Sequence, residues 1–538
     1  MKRISTLFSI FSLMVLTLPA CNVLLPPAVA SPTVIPITAS LTPASAPTNT
    51  PVEEPATLTP ILSSSTPTPL PTPVVDLQNL SSYQADLRPE FAADVEAVPN
   101  ATRYFIQATL IPGEPPTLTG VERVRYTNTE TVTLDALYFR LYPNLPGYGG
   151  SMTVERVVLN GASAETRLEA KGSALRVALD PPLAPGAAVD LTLWFSATLP
   201  TDISSGYGVF AFADGVYALA GFYPTIPVYD SNGWNVEIAP AYGDVTFTDV
   251  AFYRVRLTAP ADLVAAMSGS TLETRDNGDG TRTWVAVGGP MRDFYVAMSA
   301  DYKVVSEQVD GTQVNSYYRS AQAEGGKLAL RYAADALRLF SEEFGPYPYA
   351  ELDVIATPTT AGGIEYPGAI VVAQGLYDQP GGFFEVATAH EVAHQWWYGL
   401  VGSDQLDDPW LDESLTSYSE YLYYQETAGQ ARADYIKERV FEEPYRNAQK
   451  AGHDRGVAGP VASFSEEDYG AIVYGKGPLF FDAVRARMGD RAFFAALRAY
   501  LTAHRYGIAY PNDLVKAFDD ASAQPIDDLY KFWILGQK

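Results

Sequence analysis

Along the first half of the chain, apolar positions recur with a period of two. Tyr104, Ile106, Ala108 and Leu110 alternate with other residues, as do Leu137, Phe139 and Leu141, and then Tyr253, Val255 and Leu257. That period places one set of side chains on each face of a strand. Turn-forming residues separate such runs, at Asn144-Leu145-Pro146-Gly147 and Asp276-Asn277-Gly278-Asp279-Gly280. No long segment of helical period and no convincing internal repeat occurs here. The pattern predicts an antiparallel β domain over residues 81–320.

Beyond Ala321 the period changes. Leu328, Leu330, Ala334, Leu337 and Phe340 suit a helix that Gly345-Pro346 stops. A short strand is predicted from Leu352 to Ala356. The mostly apolar or small run Phe383 to Tyr398 reads as a buried helix, and further helices are predicted over Leu411–Thr427, Leu479–Met488 and Arg491–His504. The fold class is therefore multidomain α+β, with a β domain followed by a mainly helical domain, residues 321–538, that holds a small strand element.

Two segments precede these domains. Lys2 and Arg3 introduce an apolar run, Ile4 to Leu18, that leads into Leu18-Pro19-Ala20-Cys21. A basic start, a short apolar stretch and a small residue before the cut are the marks of a secretory signal peptide, here residues 1–20. The run is shorter than the ~20 residues of a membrane span. A cysteine directly after Leu-x-Ala resembles the lipobox of bacterial lipoproteins, although Pro19 is not the commonest residue inside that box. The resemblance implies a lipid on Cys21 and attachment to a membrane, facing outside the cytoplasm (extracellular or periplasmic). The other reading is an ordinary cleaved signal with a stray cysteine. Residues 21–80 are rich in Pro, Thr, Ser and Ala, with no Lys or Arg from Val23 to Leu87. Such a stretch cannot bury enough surface to fold and predicts a disordered, extended tether.

Composition narrows the chemistry. Against 36 Lys and Arg stand 62 Asp and Glu, a net charge of −26. Phosphate backbones would repel a chain so acidic, so nucleic acid is excluded as a partner. A single cysteine rules out an intrachain disulfide. Only four histidines occur in 538 residues, which makes any pairing among them informative.

Two of those histidines fall in His390-Glu391-Val392-Ala393-His394. On a helix, positions i and i+4 share a face, so both imidazoles can reach one ion while Glu391 takes a proton from a water beside it. By chance, the pattern H-E-x-x-H should arise on the order of once in several hundred chains with so few histidines. Two imidazoles and a carboxylate suit Zn²⁺ with a fourth position for water. Eighteen residues after His394 comes Glu413, in Trp410-Leu411-Asp412-Glu413. A loop bounded by Asp408-Pro409 would let a second helix return this carboxylate to the metal.

These residues resemble the zinc aminopeptidases typified by aminopeptidase N and leukotriene-A hydrolase, whose pattern is H-E-x-x-H, eighteen residues, then Glu within Trp-Leu-Asn-Glu-Gly. Upstream, Ala361-Gly362-Gly363-Ile364-Glu365-Tyr366-Pro367 resembles the family's Gly-x-Met-Glu-Asn exopeptidase motif. Downstream, Tyr474-Gly475-Lys476-Gly477 resembles its Tyr-x-Lys-Gly segment. Weaker similarity includes Met291-Arg292-Asp293-Phe294 and Phe532-Trp533, so the likeness runs from about Tyr83 onward. It implies a thermolysin-like catalytic domain over residues 321–538 and one Zn²⁺ per chain, held by His390, His394 and Glu413. It implies Glu391 as the general base toward a metal-acidified water and the donor to the leaving amine, and Tyr474 as the donor to the oxyanion. Glu365, in a segment with Gly362 and Gly363 that would line the substrate, would bind the peptide's free α-ammonium with help from Glu413. Glu420, seven residues beyond Glu413, either orients a ligand histidine or is a solvated helix acid. Tyr469 is as much a packing candidate as a pocket residue. Trp396 and Trp397 read as core, and His453 and His504 as structural or surface residues.

The sequence departs from the family pattern at Ile364, Tyr366, Asp412 and Ser414, and no clear counterpart of the family's β-domain Gln occurs; Tyr217-Ala218-Leu219 occupies roughly that region. The chain runs 125 residues past Glu413, which leads us to expect a more open cleft than in relatives with a large C-terminal helical domain. Peptides are the expected substrates. The function expected is an exported, lipid-anchored zinc aminopeptidase. The alternatives are a zinc endopeptidase with an open cleft and an inactive surface binding protein on the same scaffold.

Overall fold

In the computed structural model, which describes residues 76–379 and 381–537, the alternating runs become strands at the expected places. Thr102–Ile111, Thr117–Thr127 and Ala251–Pro260 belong to an eight-stranded sheet that is antiparallel except where Thr102–Ile111 pairs with Ala251–Pro260. The polar–apolar alternation has a direct consequence here: Tyr104, Ile106, Ala108 and Leu110 are all buried on one face. Tyr104 stacks on Tyr253 with ring centroids 5.1 Å apart. Smaller sheets pack around this one, among them Leu134–Arg140 with Ala174–Leu183 and Thr166–Glu169. The signal peptide and most of the tether read from the sequence lie outside the described residues. Among the described residues no helix is long and apolar enough to cross a membrane.

Two expectations need correction. The second half holds more than a small strand element: Tyr302–Val309, Thr312–Arg319, Glu351–Thr357, Ala369–Ala373 and Gly363–Ile364 form a five-stranded sheet in that order. Its first two strands come from before residue 320. A boundary at 320/321 therefore cuts through a hydrogen-bonded sheet, and residues 77–538 belong to one compact unit. Alternation alone says that a segment is a strand, not which sheet it joins. The second correction concerns the helix expected over Phe383–Tyr398. It is regular over Phe383–Ala393 (α2), then unwinds, with Trp397 and Tyr398 outside helical geometry. The unwound Tyr398 carbonyl accepts from Arg292 Nε at 2.7 Å, and Arg292 Nη1 also donates to the Thr248 carbonyl at 2.9 Å. A buried guanidinium thus satisfies the Tyr398 carbonyl beyond the helix end, and by also holding Thr248 it ties the β region to the helical one.

The other helices fall close to expectation. Ala323–Glu343 (α1) covers the five-stranded sheet, its Gly326 so close to Tyr318 that an added Cβ would lie 2.2 Å from the ring. Trp410–Thr427 (α3) packs on α2, and Gln430–Ile436 (α4) follows it. Trp396 and Trp397, in the segment that follows α2, are core residues. Trp396 Nε1 donates to the Gly345 carbonyl at 2.8 Å, and both rings meet Phe344.

Candidate active site

Helices α2 and α3 cross so that their polar residues face each other inside the protein. His390 on α2 and His394 at its C-cap sit one turn apart, with Nε2 atoms 3.0 Å apart. Glu413, in the first turn of α3, brings Oε2 to 3.2 Å from His390 Nε2 and 3.4 Å from His394 Nε2. Three donor atoms converge on one buried point. Two imidazole nitrogens and a carboxylate are the ligand set of a catalytic zinc site.

Each histidine is backed by a second carboxylate. Glu420 Oε1 lies 2.7 Å from His390 Nδ1, and Asp412 Oδ1 lies 2.6 Å from His394 Nδ1. Such partners at Nδ1 turn Nε2 toward the ion and strengthen it as a ligand. Burial lowers the proton affinity of His390, yet Glu413 and Glu420 outweigh it and lift its pKa to about 10. His394 is raised well above the imidazole range, its burial overcome chiefly by Asp412 and Glu365. Glu413 is held well below the carboxylate range, against its burial, by the two imidazoles. So much negative charge in a buried place calls for compensating positive charge. A divalent cation held by these residues would supply it and would displace the imidazole protons, the usual coupling of metal binding to proton release.

Glu391 stands beside the ligands and is fully enclosed. Burial pushes it up to about 8, opposed by His390 and His394; positive charge at the ligand point acts in the same lowering direction. Its carboxylate rests on Gly363, where a Cβ would come within 2.3 Å of Oε1. Only glycine leaves room for the Glu391 carboxylate at this position. Gly363–Ile364 is an edge strand, paired on one side with Ala369–Ala373. Gly362 accepts from the Ala373 amide at 3.0 Å. Tyr474 donates its hydroxyl to Glu413 Oε1 at 2.5 Å, and its ring lies 6.1 Å from that of His390.

Glu365 is 5% exposed and accepts from Gln405 Nε2 at 2.9 Å. Gln405 also donates to Asp412 Oδ2 at 2.5 Å, so one amide positions both carboxylates. The turn that carries Glu365 is fixed by Gln395, whose Oε1 accepts from the Gly368 amide at 2.9 Å. Burial raises Glu365 to about 7, against the pull of His394.

Asp412, Gln405, Gln395 and Asp244 were not among the site residues read from the sequence. Asp244 belongs to the β region, yet its carboxyl bonds with Glu413 and is raised well above its range by burial, Glu365 and Glu413. Tyr217, proposed near this place, instead stacks on Phe212 at 4.2 Å; Tyr207, Tyr242 and Asp244 line the site. The adjacency of Asp412 to Glu413 was a usable signal. Asp244 lies 169 positions before Glu413 (413 − 244) and carried none.

The remaining motif residues have structural work. Ser414 Oγ donates to the Val473 carbonyl at 2.6 Å, which ties α3 to the segment bearing Tyr474. Lys476 Nζ donates to Asp454 Oδ1 at 2.8 Å. Tyr469 packs edge-on against Tyr474 with centroids 5.7 Å apart and lines the site as well. His453 pairs with Asp468 at 2.8 Å on the surface, and His504 ends its helix against Tyr500.

Two cavities meet at Gly363, His390, Glu391, Gly470 and Tyr474. The narrow one, about 30 Å³, contains Glu365 and Asp244. The larger, about 260 Å³, runs between α2 and α4 past Phe383, Val386 and Ile436.

An H-E-x-x-H pair on one helix, completed by a Glu on a second, is the arrangement that characterises the gluzincin metallopeptidases. Residues 328–533 match the model of the Peptidase family M1 domain. This stretch is similar to the M1 peptidase domain, in line with the resemblance to the aminopeptidase N family read from the sequence. The chain is 30% identical over 300 residues to Aminopeptidase M1 of Arabidopsis thaliana, covering 53% of this chain and 34% of that one. It is 27% identical over 379 residues to Aminopeptidase M1-A of Oryza sativa subsp. japonica, covering 64% and 42%. The chain thus spans between a third and a half of these relatives' length. The solved M1 zinc metallopeptidase from Deinococcus radiodurans shares its fold, with a TM-score of 0.64 at 20% identity, covering 81% of this chain and 95% of that one.

Proposed function

We propose that the protein is a zinc aminopeptidase that releases the first residue of peptides. The observation that carries this reading is Glu365, a buried carboxylate held by Gln405 in the narrow cavity, next to the ligands. A free α-ammonium is the group on a peptide that would compensate a carboxylate there, and a cavity of about 30 Å³ has little room for more than that end of the substrate.

His390, His394 and Glu413 would hold the zinc, which when bound would supply a Lewis acid and acidify a water. Glu391 accepts the water's proton as the new C–O bond forms, then delivers it to the departing nitrogen as the C–N bond breaks. Tyr474 donates to the oxygen that gains negative charge, for about 3 kcal/mol. The free edge of Gly363–Ile364 takes the substrate backbone as an added strand. The test is mass spectrometry of an octapeptide digest. Stepwise loss from the N-terminus, stopped by chelator and restored by Zn²⁺, is expected; internal cuts would overturn the reading.

We also propose export and acylation of Cys21, which would hold the enzyme on a membrane outside the cytoplasm. The basic start, the apolar run and the lone cysteine after Leu18-Pro19-Ala20 support it. Incorporation of a labelled fatty acid that disappears in Cys21→Ser is the expected result; equal labelling would refute it.

A further inference from the structure

The larger cavity ends on positive charge in a protein where acids outnumber bases 62 to 36. Arg432 of α4 and Arg439 just beyond it both line that cavity, whose near wall is Glu391 and Tyr474. Arg439 is paired with Glu443 at 2.5 Å. Arg432 has no carboxylate partner among the described residues. Its guanidinium lies instead against the rings of Tyr424 and Tyr435, 5.4 and 5.1 Å from their centroids. That leaves its planar donors for a ligand, and stacked rings hold such a group in one orientation without consuming them.

The site therefore has a direction. Glu365 and Asp244 line the narrow cavity, whereas the larger and mostly apolar one, which reaches Glu391 and Glu420 at the ligand histidines, carries the Arg432 guanidinium. With the substrate's amine at Glu365, everything beyond the cut bond enters the larger cavity. We propose that Arg432, aided by Arg439, binds a carboxylate on the leaving part of the substrate, namely the C-terminus of a short peptide. The favoured substrates are then di- and tripeptides with both ends free. This rests on the aminopeptidase reading, and it adds a length and charge preference that the reading does not contain. A cavity of about 260 Å³ has room for a leaving part of one or two residues.

The experiment compares three substrates with the same first residue: a tripeptide acid, its C-terminal amide, and an amide with Asp at the third position. An amino-acid anilide, which has no carboxylate, serves as a check on the underlying reading. We expect kcat/KM for the tripeptide acid to exceed that for the amide by roughly 10- to 100-fold, the worth of a hydrogen bond to a charged group. The difference should sit mostly in KM. Arg432→Ala should bring the ratio near one, and Arg432→Lys should keep part of it. Binding to the Glu391→Gln protein, read by calorimetry without turnover, should show the same acid-over-amide preference in Kd. Restoration by the Asp-amide would assign the site to acidic side chains and overturn the C-terminus assignment. A wild-type ratio near one, or a ratio that survives Arg432→Ala, would overturn the proposal while anilide cleavage leaves the aminopeptidase reading standing. Failure to cleave the anilide and every peptide would overturn both.

Discussion

Asp412 Oδ1 lies 2.6 Å from His394 Nδ1, and its neighbour Glu413 reaches the Nε2 of the same ring at 3.4 Å. Consecutive residues of α3 thus grip one imidazole at both nitrogens, one through the ion site and one behind it. Removing the rear contact frees the ring to turn and lowers its basicity. Asp412→Ala should weaken zinc binding about 10- to 100-fold, and Asp412→Asn, which keeps an acceptor oxygen, should weaken it less. Competition titration against a chelator gives both numbers; unchanged affinity in the alanine variant would refute the role.

Glu391 contacts the reacting water in the proposed mechanism and is not a ligand. Glu391→Gln should therefore lower kcat by at least about 100-fold while the zinc content stays at one per chain. Steady-state rates and metal analysis on the same sample separate these effects. Loss of metal along with activity would mean that the residue holds the site together instead.

Gly363 is tested by the smallest possible change. A methyl group there would sit 2.3 Å from Glu391 Oε1, so the base must shift. Gly363→Ala should cost about 100-fold in kcat/KM, the scale of a misplacement near 1 Å. Overpacking should cost about 1–3 kcal/mol of stability. Rates and denaturant unfolding check the two parts separately.

Glu122 offers a stability test far from the metal. It is fully buried in the β region, its backbone opposite Ile106 and Leu193, and neither carboxylate oxygen has a hydrogen-bond partner among the described residues. Burial raises its pKa well above 4.5. The folded state thus holds a proton that the unfolded state releases above pH 4.5. The stability linked to that proton is fully present below 4.5 and is lost as pH rises through the folded value. Glu122→Met should stabilise the protein by about 1–3 kcal/mol near neutrality, with a gain that is larger at pH 8 than at pH 5. Chemical unfolding at both pH values checks the sign; a gain that shrinks with pH would contradict it.

Much of this site was legible in the sequence because its chemistry is local. His390, Glu391 and His394 share one helix, and Glu413 and Glu420 share the next, so helical spacing alone brings them to common faces. Glu365 and Tyr474 were found through their flanking motifs. Asp412 was adjacent to a recognised ligand and was noticed only as a departure. Gln405 and Asp244 reach the site from a loop and from the β region, through contacts that no period encodes. The same reason explains the misplaced division at residue 320. Strands 302–319 alternate like those before them, and only their pairing with Glu351–Thr357 shows which sheet they complete. The unwinding after Ala393 was hidden as well, since Trp397 and Tyr398 continue an apolar run while Arg292, more than a hundred positions away, pulls the backbone out of the helix.

The central claim is that Glu365 reads a free amine. It is tested most directly by the ratio of kcat/KM for a peptide with a free N-terminus to that for its N-acetylated form, in the wild type and in Glu365→Gln. The account predicts cleavage of the free peptide alone in the wild type, and a loss of about 100-fold or more on that peptide in the variant, with bound zinc retained. Equal cleavage of the acetylated peptide by the wild-type enzyme would contradict it.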